Sequence, residues 1–319
     1  MSEQKIVVLG TGGTIAGTSA QAGDNIGYTA AQVGVGQLLA AVPGLQAAAR
    51  GALLAEQVAQ IDSKDMDAAV WLALAQRCAQ HLAQPDVRGV VVTHGTDTLE
   101  ETAWFLHEVL PSAAKPVVLT CAMRPATALA PDGPQNLLDA VAVAAAEGAR
   151  GVLAVASGKI YGARDVQKVH PYRVDAFHAG EAGPLGWVEE GRVRLAQDWP
   201  PTADLSAQGA IEKIATAALW PRVEIVVSHA GASGALVNAL VRDGVDGLVV
   251  ACTGNGTVHR DLEAALLQAQ SRGVRVVRST RCAEGRVLPK PGDALPDSQG
   301  LSPVKARISL VLDLLRQRG

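Results

Sequence analysis

Short apolar runs alternate with amphipathic segments along the first half of the chain. Between the runs, apolar residues recur at helical spacing, which predicts helices at Ala30–Ala41, Asp65–Ala83, Leu99–Leu110 and Gln135–Glu147. The runs themselves predict strands at Lys5–Leu9, Leu53–Ala59, Gly89–Thr93, Pro116–Cys121 and Gly151–Ala156. Strands that alternate with helices in this way favour an α/β fold built on a parallel sheet.

The same alternation returns near the end of the chain. It predicts strands at Val223–Ser228, Gly247–Ala251 and Val274–Arg278, helices at Ala232–Val241 and Arg260–Arg272, and a closing helix from Ser302-Pro303 to about Leu315. A β-hairpin is predicted at Gly186–Val193, and a polar, proline-bearing stretch follows it. We therefore expect a larger N-terminal parallel-sheet domain (1–196), a linker (197–219) and a smaller C-terminal α/β domain (220–319).

Composition narrows the classes of protein to consider. Hydrophobic residues make up 48% of 319 residues, which excludes a disordered chain, and the net charge of −3 argues against a nucleic-acid partner. No apolar run reaches the roughly 18 residues that a membrane span requires. The start of the chain has no signal-peptide pattern, so we expect a cytoplasmic protein. The four cysteines are widely spaced and are expected to be free and buried, and the histidines show no metal-binding spacing.

Two loops rich in glycine and threonine carry the candidate chemistry. Gly10–Gly17 follows the first predicted strand, and Thr93–Thr102 follows the third. Ligands bind at the carboxyl ends of parallel strands, because the loops there open a crevice. A threonine hydroxyl held on such a turn can attack a carbonyl carbon when a base accepts its proton. Tyr28 and Lys168 are candidate bases.

Each of these loops also has a simpler interpretation. The first could be a plain tight turn, and its glycine spacing does not fit a nucleotide-binding fingerprint. In the second, Thr96 and Asp97 could serve only as helix caps, and Thr98 with Glu101 fits a capping box. Ser63 could likewise cap the next helix. Two such loops at strand ends of one domain nevertheless make a site the better interpretation.

Taken together, the residues resemble the bacterial-type L-asparaginase family, which includes the glutaminase-asparaginases. The resemblance runs through nearly the whole chain in order. The matching stretches are Gly12–Gly17, Tyr28-Thr29, Val33–Val35, Asp62–Met66, Thr93–Ala103, Ala122–Pro125, Asp132–Leu137, Arg164–Lys168, Gly183–Gly186, Gly254–Gly256 and Pro303–Arg307.

The resemblance implies hydrolysis of L-asparagine to L-aspartate and ammonia through an acyl-enzyme, with no cofactor or metal and possible glutaminase side activity. It implies Thr14 as the nucleophile and Tyr28 beside it on a lid. Thr96, Asp97 and Lys168 form a second polar triad in the family. The residues implied in substrate binding are Ser63, Asp62, Thr96, Asp97 and Asn255. The family also implies a homotetramer, a dimer of dimers in which the C-terminal domain contributes to the neighbouring subunit's site.

Two other functions use the same fold. A non-catalytic amino-acid sensor would need neither a nucleophile nor a base, so the presence of both disfavours it. An amidase subunit of a tRNA-dependent amidotransferase would need a basic tRNA-binding segment, which this sequence lacks. One departure from the family concerns the loop Gly285–Gly300. It contains no Glu to lie beside the neighbouring subunit's tyrosine, and Asp293 and Asp297 are the acidic residues it offers instead.

Overall fold

A computed structural model describes residues 4–21, 23–110, 114–201, 210–217 and 219–318. The chain divides into two compact units, Met1–Ile211 and Glu212–Gly319. None of the described helices is long and apolar enough to cross a membrane. The predicted linker 197–219 falls partly outside the described residues, and its described part includes the short helix α6 (Ala210–Thr216).

The first unit is built on an eight-stranded sheet. Its strands are β1 (Lys5–Gly12), β2 (Ala52–Ile61), β3 (Val87–Thr93), β4 (Pro116–Thr120), β5 (Gly151–Ala156), β6 (Lys159–Gly162), β9 (Gly186–Glu189) and β10 (Arg192–Leu195). Their order in the sheet is β10-β9-β6-β5-β4-β3-β1-β2, and the five strands from β5 to β2 run parallel to one another. A separate pair, β7 (Gln167–Lys168) and β8 (Phe177–His178), is antiparallel.

Helices cover both faces of the parallel part of the sheet. They are α1 (Val35–Ala41), α2 (Leu45–Ala49), α3 (Ala68–Leu82), α4 (Leu99–Val109) and α5 (Gly133–Ala144). Ile6, Val8 and Val91 pack in one cluster with apolar residues of α5, while the intervening residues of β1 are equally buried. Burial on both faces explains why the strands are continuous apolar runs rather than alternating ones.

Antiparallel strands extend the sheet beyond the predicted parallel core. The hairpin β9–β10 was predicted, but β6 was not, and it turns back on β5 through Ser157 and Gly158, which both have positive φ. The N-terminal sheet is therefore mixed. The strand β6 contains only four residues, so it is too short for a periodic sequence signal.

The helix predicted at Ala30–Ala41 begins only at Val35. The backbone N–H of Ala31 donates to the carbonyl of Gly13, and those of Gln32 and Val33 donate to the carbonyl of Ala16. These bonds tie the segment to the loop after β1. Tertiary hydrogen bonds thus replace the helical ones that the sequence pattern suggests. They also hold the loop after β1 in place.

The second unit is a three-stranded parallel sheet in the order β11-β12-β13. Its elements are β11 (Val223–Val227), α7 (Ala235–Arg242), β12 (Gly247–Cys252), α8 (Arg260–Ser271), β13 (Arg275–Thr280) and α9 (Pro303–Arg318). The order of elements matches the sequence prediction. The hydroxyl of Ser302, the residue directly before α9, is buried without a hydrogen-bond partner in the described part of the chain.

The cysteines are free, as expected, but they are not all buried. Cys78, Cys121 and Cys252 lie in the cores of the two units, whereas Cys282 is exposed. Cys282 follows β13 and lies in a bend outside the helices and strands. Burial raises the pKa of Cys78 to about 12 and that of Cys252 to about 11, which makes both thiols poor nucleophiles.

A buried arginine organises the loops of the second unit. Arg278 donates through Nε to the carbonyl of Leu295, through Nη1 to that of Gly256 and through Nη2 to Asp293 at 2.7 Å. The side chains of Arg278 and Asp293 are only 9% and 15% exposed. The backbone N–H of Lys290 and the guanidinium of Arg278 lower the pKa of Asp293. One side chain thus joins the loop after β12 to the long loop Gly285–Gly300.

We expect Asp293→Asn to lower the thermal unfolding midpoint at pH 7, because it leaves the Arg278 charge buried without its partner. A carboxyl group whose pKa is lowered by folding stabilises the folded state when the pH is above the pKa of the unfolded chain. This stabilisation is lost as the pH falls through the pKa of the folded state. The difference in unfolding midpoint between Asp293→Asn and the wild type should therefore shrink below about pH 4, and thermal scans between pH 7 and 3 measure that difference.

Asp313→Asn is the matched control. Asp313 pairs with Arg316 in the same unit, but both side chains are about half exposed, so its loss should change the midpoint little. Equal effects of the two substitutions at pH 7 would show that the Arg278–Asp293 pair has no special role in the stability of the unit.

Candidate active site

The candidate site lies at the carboxyl ends of three adjacent strands. Because the sheet order is β3-β1-β2, the loops that follow these strands are neighbours. They carry Thr96, Thr14 and Ser63 respectively, and each of these residues is less than a tenth exposed. Three hydroxyl groups predicted from separate parts of the sequence therefore share one edge of the sheet.

Two glycines allow the loops after β1 and β3 to touch. A Cβ atom added to Gly13 would lie 2.3 Å from the Cα atom of Gly95, and Gly13 has a φ of 80°, which favours glycine. A Cβ atom added to Gly95 would lie 2.4 Å from Oγ of Ser63. Glycine is needed at both positions because the backbones of residues 13 and 95 pack directly on each other, and Gly95 also packs on the side chain of Ser63.

Ser63 fastens the loop after β2 to the loop after β3. Its hydroxyl oxygen accepts a hydrogen bond from the backbone N–H of Asp97 at 3.2 Å, and its carbonyl accepts one from the Thr98 hydroxyl at 2.8 Å. Thr98 therefore does not form the predicted capping box, because its hydroxyl is used across the site. Ser63 is not the cap of the next helix either, since Asp67 accepts from the N–H of Val70 at the start of α3.

Thr14 and Tyr28 form the first hydroxyl pair. Oγ1 of Thr14 lies 2.7 Å from the phenol oxygen of Tyr28. Thr18 and Thr29 pair as an isolated antiparallel bridge, which closes the segment between the two residues into a loop. The N–H of Ala126 donates to the carbonyl of Gly17 and thereby ties the base of this loop to the chain after β4.

Thr96, Asp97 and Lys168 form the second group. Nζ of Lys168 donates to Oγ1 of Thr96 at 2.8 Å and to Oδ1 of Asp97 at 2.6 Å. The side chain of Lys168 is 16% exposed and that of Asp97 is 51% exposed, so the carboxylate faces the open side. The backbone N–H of Lys168 donates to Oε1 of Glu100, which fixes β7 against α4.

The remaining predicted binding residues have other partners. The carboxylate of Asp62 accepts from both the N–H and Nζ of Lys64. Asn255 belongs to the second unit, where its amide accepts from the N–H of Leu288 at 2.7 Å and donates to the Leu288 carbonyl at 3.1 Å. Asp293, an alternative to the absent Glu, is bound to Arg278.

The sequence analysis did not identify Glu100 or residues 31–33 as part of the site. Glu100 holds the backbone of Lys168, and residues 31–33 hold the loop that carries Thr14. Glu100 looked like an ordinary acidic residue in the first turn of a helix, where such residues are favoured by the helix dipole. The segment 31–33 is tied to Gly13 and Ala16 through backbone N–H groups, and such bonds leave no signal in a single sequence. No cluster of His, Cys, Asp and Glu that could hold a metal ion occurs among the described residues.

The fold and the site define an α/β protein that gathers hydroxyl, lysine and carboxylate groups at the carboxyl ends of its parallel strands. Comparison with known proteins defines the family. The model of the N-terminal asparaginase domain matches residues 5–201, and that of the glutaminase/asparaginase C-terminal domain matches residues 222–318. The chain belongs to the asparaginase family.

Similarity to individual proteins extends over the full length. L-asparaginase 2 of Escherichia coli is 38% identical over 98% of this chain and 89% of its own length. The glutaminase-asparaginase of Pseudomonas fluorescens biotype A is 37% identical over 98% and 86%. The crystal structure of a probable cytoplasmic L-asparaginase from Campylobacter jejuni superposes with a TM-score of 0.90 at 37% identity, covering 98% of this chain and 95% of that one.

We expect Gly95→Ala to destabilise the chain by about 1–3 kcal/mol, the usual cost of overpacking a filled site. The added methyl group must displace Ser63 and the Gly13 backbone. Chemical unfolding followed by circular dichroism measures the loss, and the displacement should also lower any activity of the site.

Gly36→Ala serves as the control. Gly36 lies in α1, has no heavy atom within 4 Å of an added Cβ atom, and should gain a little stability from alanine. If Gly95→Ala is as stable as Gly36→Ala, Gly95 is not packed against Ser63 and Gly13 at van der Waals contact.

Proposed function

We propose that the chain hydrolyses L-asparagine to L-aspartate and ammonia through a threonine acyl-enzyme. The observation that carries this proposal is the contact of 2.7 Å between Thr14 and Tyr28 in the loop after β1, beside the loop after β3, where Lys168 binds Thr96 and Asp97. Full-length similarity to proteins named L-asparaginase supports the choice of substrate.

In the first half of the reaction, Oγ1 of Thr14 attacks the carbon of the side-chain amide. Its proton passes to the oxygen of Tyr28, whose own proton moves towards the leaving nitrogen. The C–N bond breaks, ammonia leaves, and an aspartyl ester remains on Thr14. In the second half, water attacks the ester carbon and its proton passes through the Tyr28 oxygen to Oγ1 of Thr14. L-Aspartate leaves and the Thr14 hydroxyl is regenerated.

The second group of residues stabilises charge. Lys168 holds the Thr96 hydroxyl, which together with backbone N–H groups of the loop can donate to the oxyanion that forms on the amide oxygen. Asp97 binds Lys168 through Oδ1, and its open side can receive the α-ammonium group of the substrate. Ser63 sets the position of Asp97 through the backbone N–H.

Other parts of the prediction rest on resemblance. Glutamine is proposed as a secondary substrate, because relatives named glutaminase-asparaginase are as similar as those named L-asparaginase. The homotetramer, with Asn255 serving the site of a neighbouring subunit, stays a prediction. So does the cytoplasmic location, since similar proteins are named both cytoplasmic and periplasmic.

Thr14→Ala should abolish ammonia release from L-asparagine while L-aspartate still binds, because the substitution removes the attacking oxygen, together with one methyl group, and leaves the residues of the second group in place. Ammonia assays and calorimetric titration with L-aspartate measure the two properties. L-Glutamine, assayed in parallel, determines whether the secondary activity exists.

Thr14→Ser is the matched control, since it keeps the oxygen and should retain turnover. Near wild-type turnover by Thr14→Ala would remove Thr14 from the nucleophilic role. If neither the wild type nor Thr14→Ser releases ammonia, the proposed function itself is wrong.

Lys168→Met and Thr96→Val should each lower kcat by a factor of at least ~100, the range typical of losing a general base or an oxyanion donor. The double variant should lose little more than either single one, because groups joined by a hydrogen bond act as a unit. Steady-state kinetics of the three variants measure the coupling.

Lys159→Met is the control for the loss of a lysine. Lys159 lies on β6 and pairs with Asp175, outside the site, so its kcat should stay within about twofold of wild type. A double variant whose loss equals the product of the single losses would show that Lys168 and Thr96 act independently.

A further inference from the structure

A buried histidine lies directly behind the second loop of the site. His94 follows β3, is fully buried, and its backbone N–H donates to the Thr120 carbonyl at the end of β4. Its Nδ1 atom lies 2.7 Å from the carbonyl oxygen of Gly95, and its Nε2 atom lies 2.9 Å from Oγ1 of Thr102. The reaction described above assigns no role to this side chain.

The partners of the ring determine its tautomer. A carbonyl oxygen only accepts hydrogen bonds, so Nδ1 must carry a hydrogen. Burial lowers the pKa of His94 to about 4, so the ring is neutral at pH 7 and Nε2 accepts. Thr102 must then donate its hydroxyl hydrogen to Nε2.

The indole of Trp71 shows in which direction the Thr102 hydroxyl donates its hydrogen bond. Nε1 of Trp71 lies 2.9 Å from Oγ1 of Thr102, and an indole N–H only donates. The ring of Trp71 is itself held by stacking on Phe105, with centroids 5.0 Å apart. The hydrogen bonds therefore run in one direction, from Trp71 through Thr102 and His94 to the Gly95 carbonyl.

This chain of hydrogen bonds ends at the peptide group between Gly95 and Thr96. In a trans peptide the carbonyl and the following N–H point to opposite sides. Fixing the Gly95 carbonyl towards the buried histidine therefore turns the N–H of Thr96 away from the core. The same peptide belongs to the loop that packs on Gly13 and carries the hydroxyl bound by Lys168.

We propose that His94, held as the neutral Nδ1–H tautomer by Trp71 and Thr102, is a positioning residue that orients the Gly95–Thr96 peptide for the reaction. This inference rests on the proposed hydrolysis of asparagine. Among the described residues, no hydrogen bond joins the side chain of His94 to Thr14 or Tyr28, so its effect on the rate passes through the orientation of the loop.

The test compares two replacements of His94. The Nδ2 atom of asparagine can take the place of Nδ1, so His94→Asn can still donate to the Gly95 carbonyl, whereas His94→Leu cannot. We expect His94→Leu to lower kcat about 10- to 100-fold with KM changed less than about threefold, the range seen when catalytic groups are slightly misplaced. His94→Asn should recover most of this loss.

A second pair of variants keeps the test valid if His94→Leu fails to fold. Thr102→Val removes the hydroxyl that orients the ring, while Thr102→Ser keeps it. Thr102→Val should lower kcat and Thr102→Ser should not. In the ¹⁵N-histidine-labelled wild type, long-range proton–nitrogen correlation spectra should show His94 as the Nδ1–H tautomer.

The outcomes separate this inference from the function on which it rests. A wild type that releases no ammonia overturns the proposed hydrolysis. An active wild type in which His94 is the Nε2–H tautomer, or in which His94→Leu and Thr102→Val keep the wild-type kcat, overturns the positioning role alone. Equal losses in His94→Asn and His94→Leu would mean that the ring only fills space.

Discussion

The site depends on the direct contact between Gly13 and Gly95. Each glycine lies on a loop after a buried parallel strand, and there is no room for a side chain on either. This contact sets how close the two threonine-bearing loops can come. The hydrogen bonds of Ser63 and the pair between Lys168 and Thr96 act on loops whose separation is already fixed by the backbone. The distance between the two threonine-bearing loops is thus set by backbone packing at the ends of neighbouring strands.

The partners of the Thr14 and Thr96 hydroxyl groups are held in different ways. Lys168 reaches Thr96 from a short strand that is itself bound to α4 through Glu100. Tyr28 reaches Thr14 from a loop that is closed by the bridge between Thr18 and Thr29 and is tied to the chain after β4 through Gly17 and Ser19. The two partners are therefore held by different parts of the first unit.

Much of this arrangement could be predicted from the sequence. Apolar runs located the five parallel strands, and the resemblance located the residues that the structure brings together at their ends. The prediction failed where long-range bonds compete with local preference. Thr98 was expected to cap α4, but its hydroxyl binds the Ser63 carbonyl, 35 residues away. Residues 31–33 were expected to be helical, but their N–H groups bind Gly13 and Ala16. Neither partner can be identified from spacing along one chain.

The Asn255–Gly256 pair has a consequence for chemical ageing. Asparagine followed by glycine is prone to deamidation, in which the nitrogen of the glycine attacks the side-chain carbonyl. Here both reacting groups are engaged: the amide is bound at both ends to Leu288, and the N–H of Gly256 donates to the Gly254 carbonyl. Cyclisation must break all three bonds. The folded turn therefore protects its own asparagine, and the unfolded chain loses that protection. The extent of deamidation at this turn would record how much time the second unit has spent unfolded.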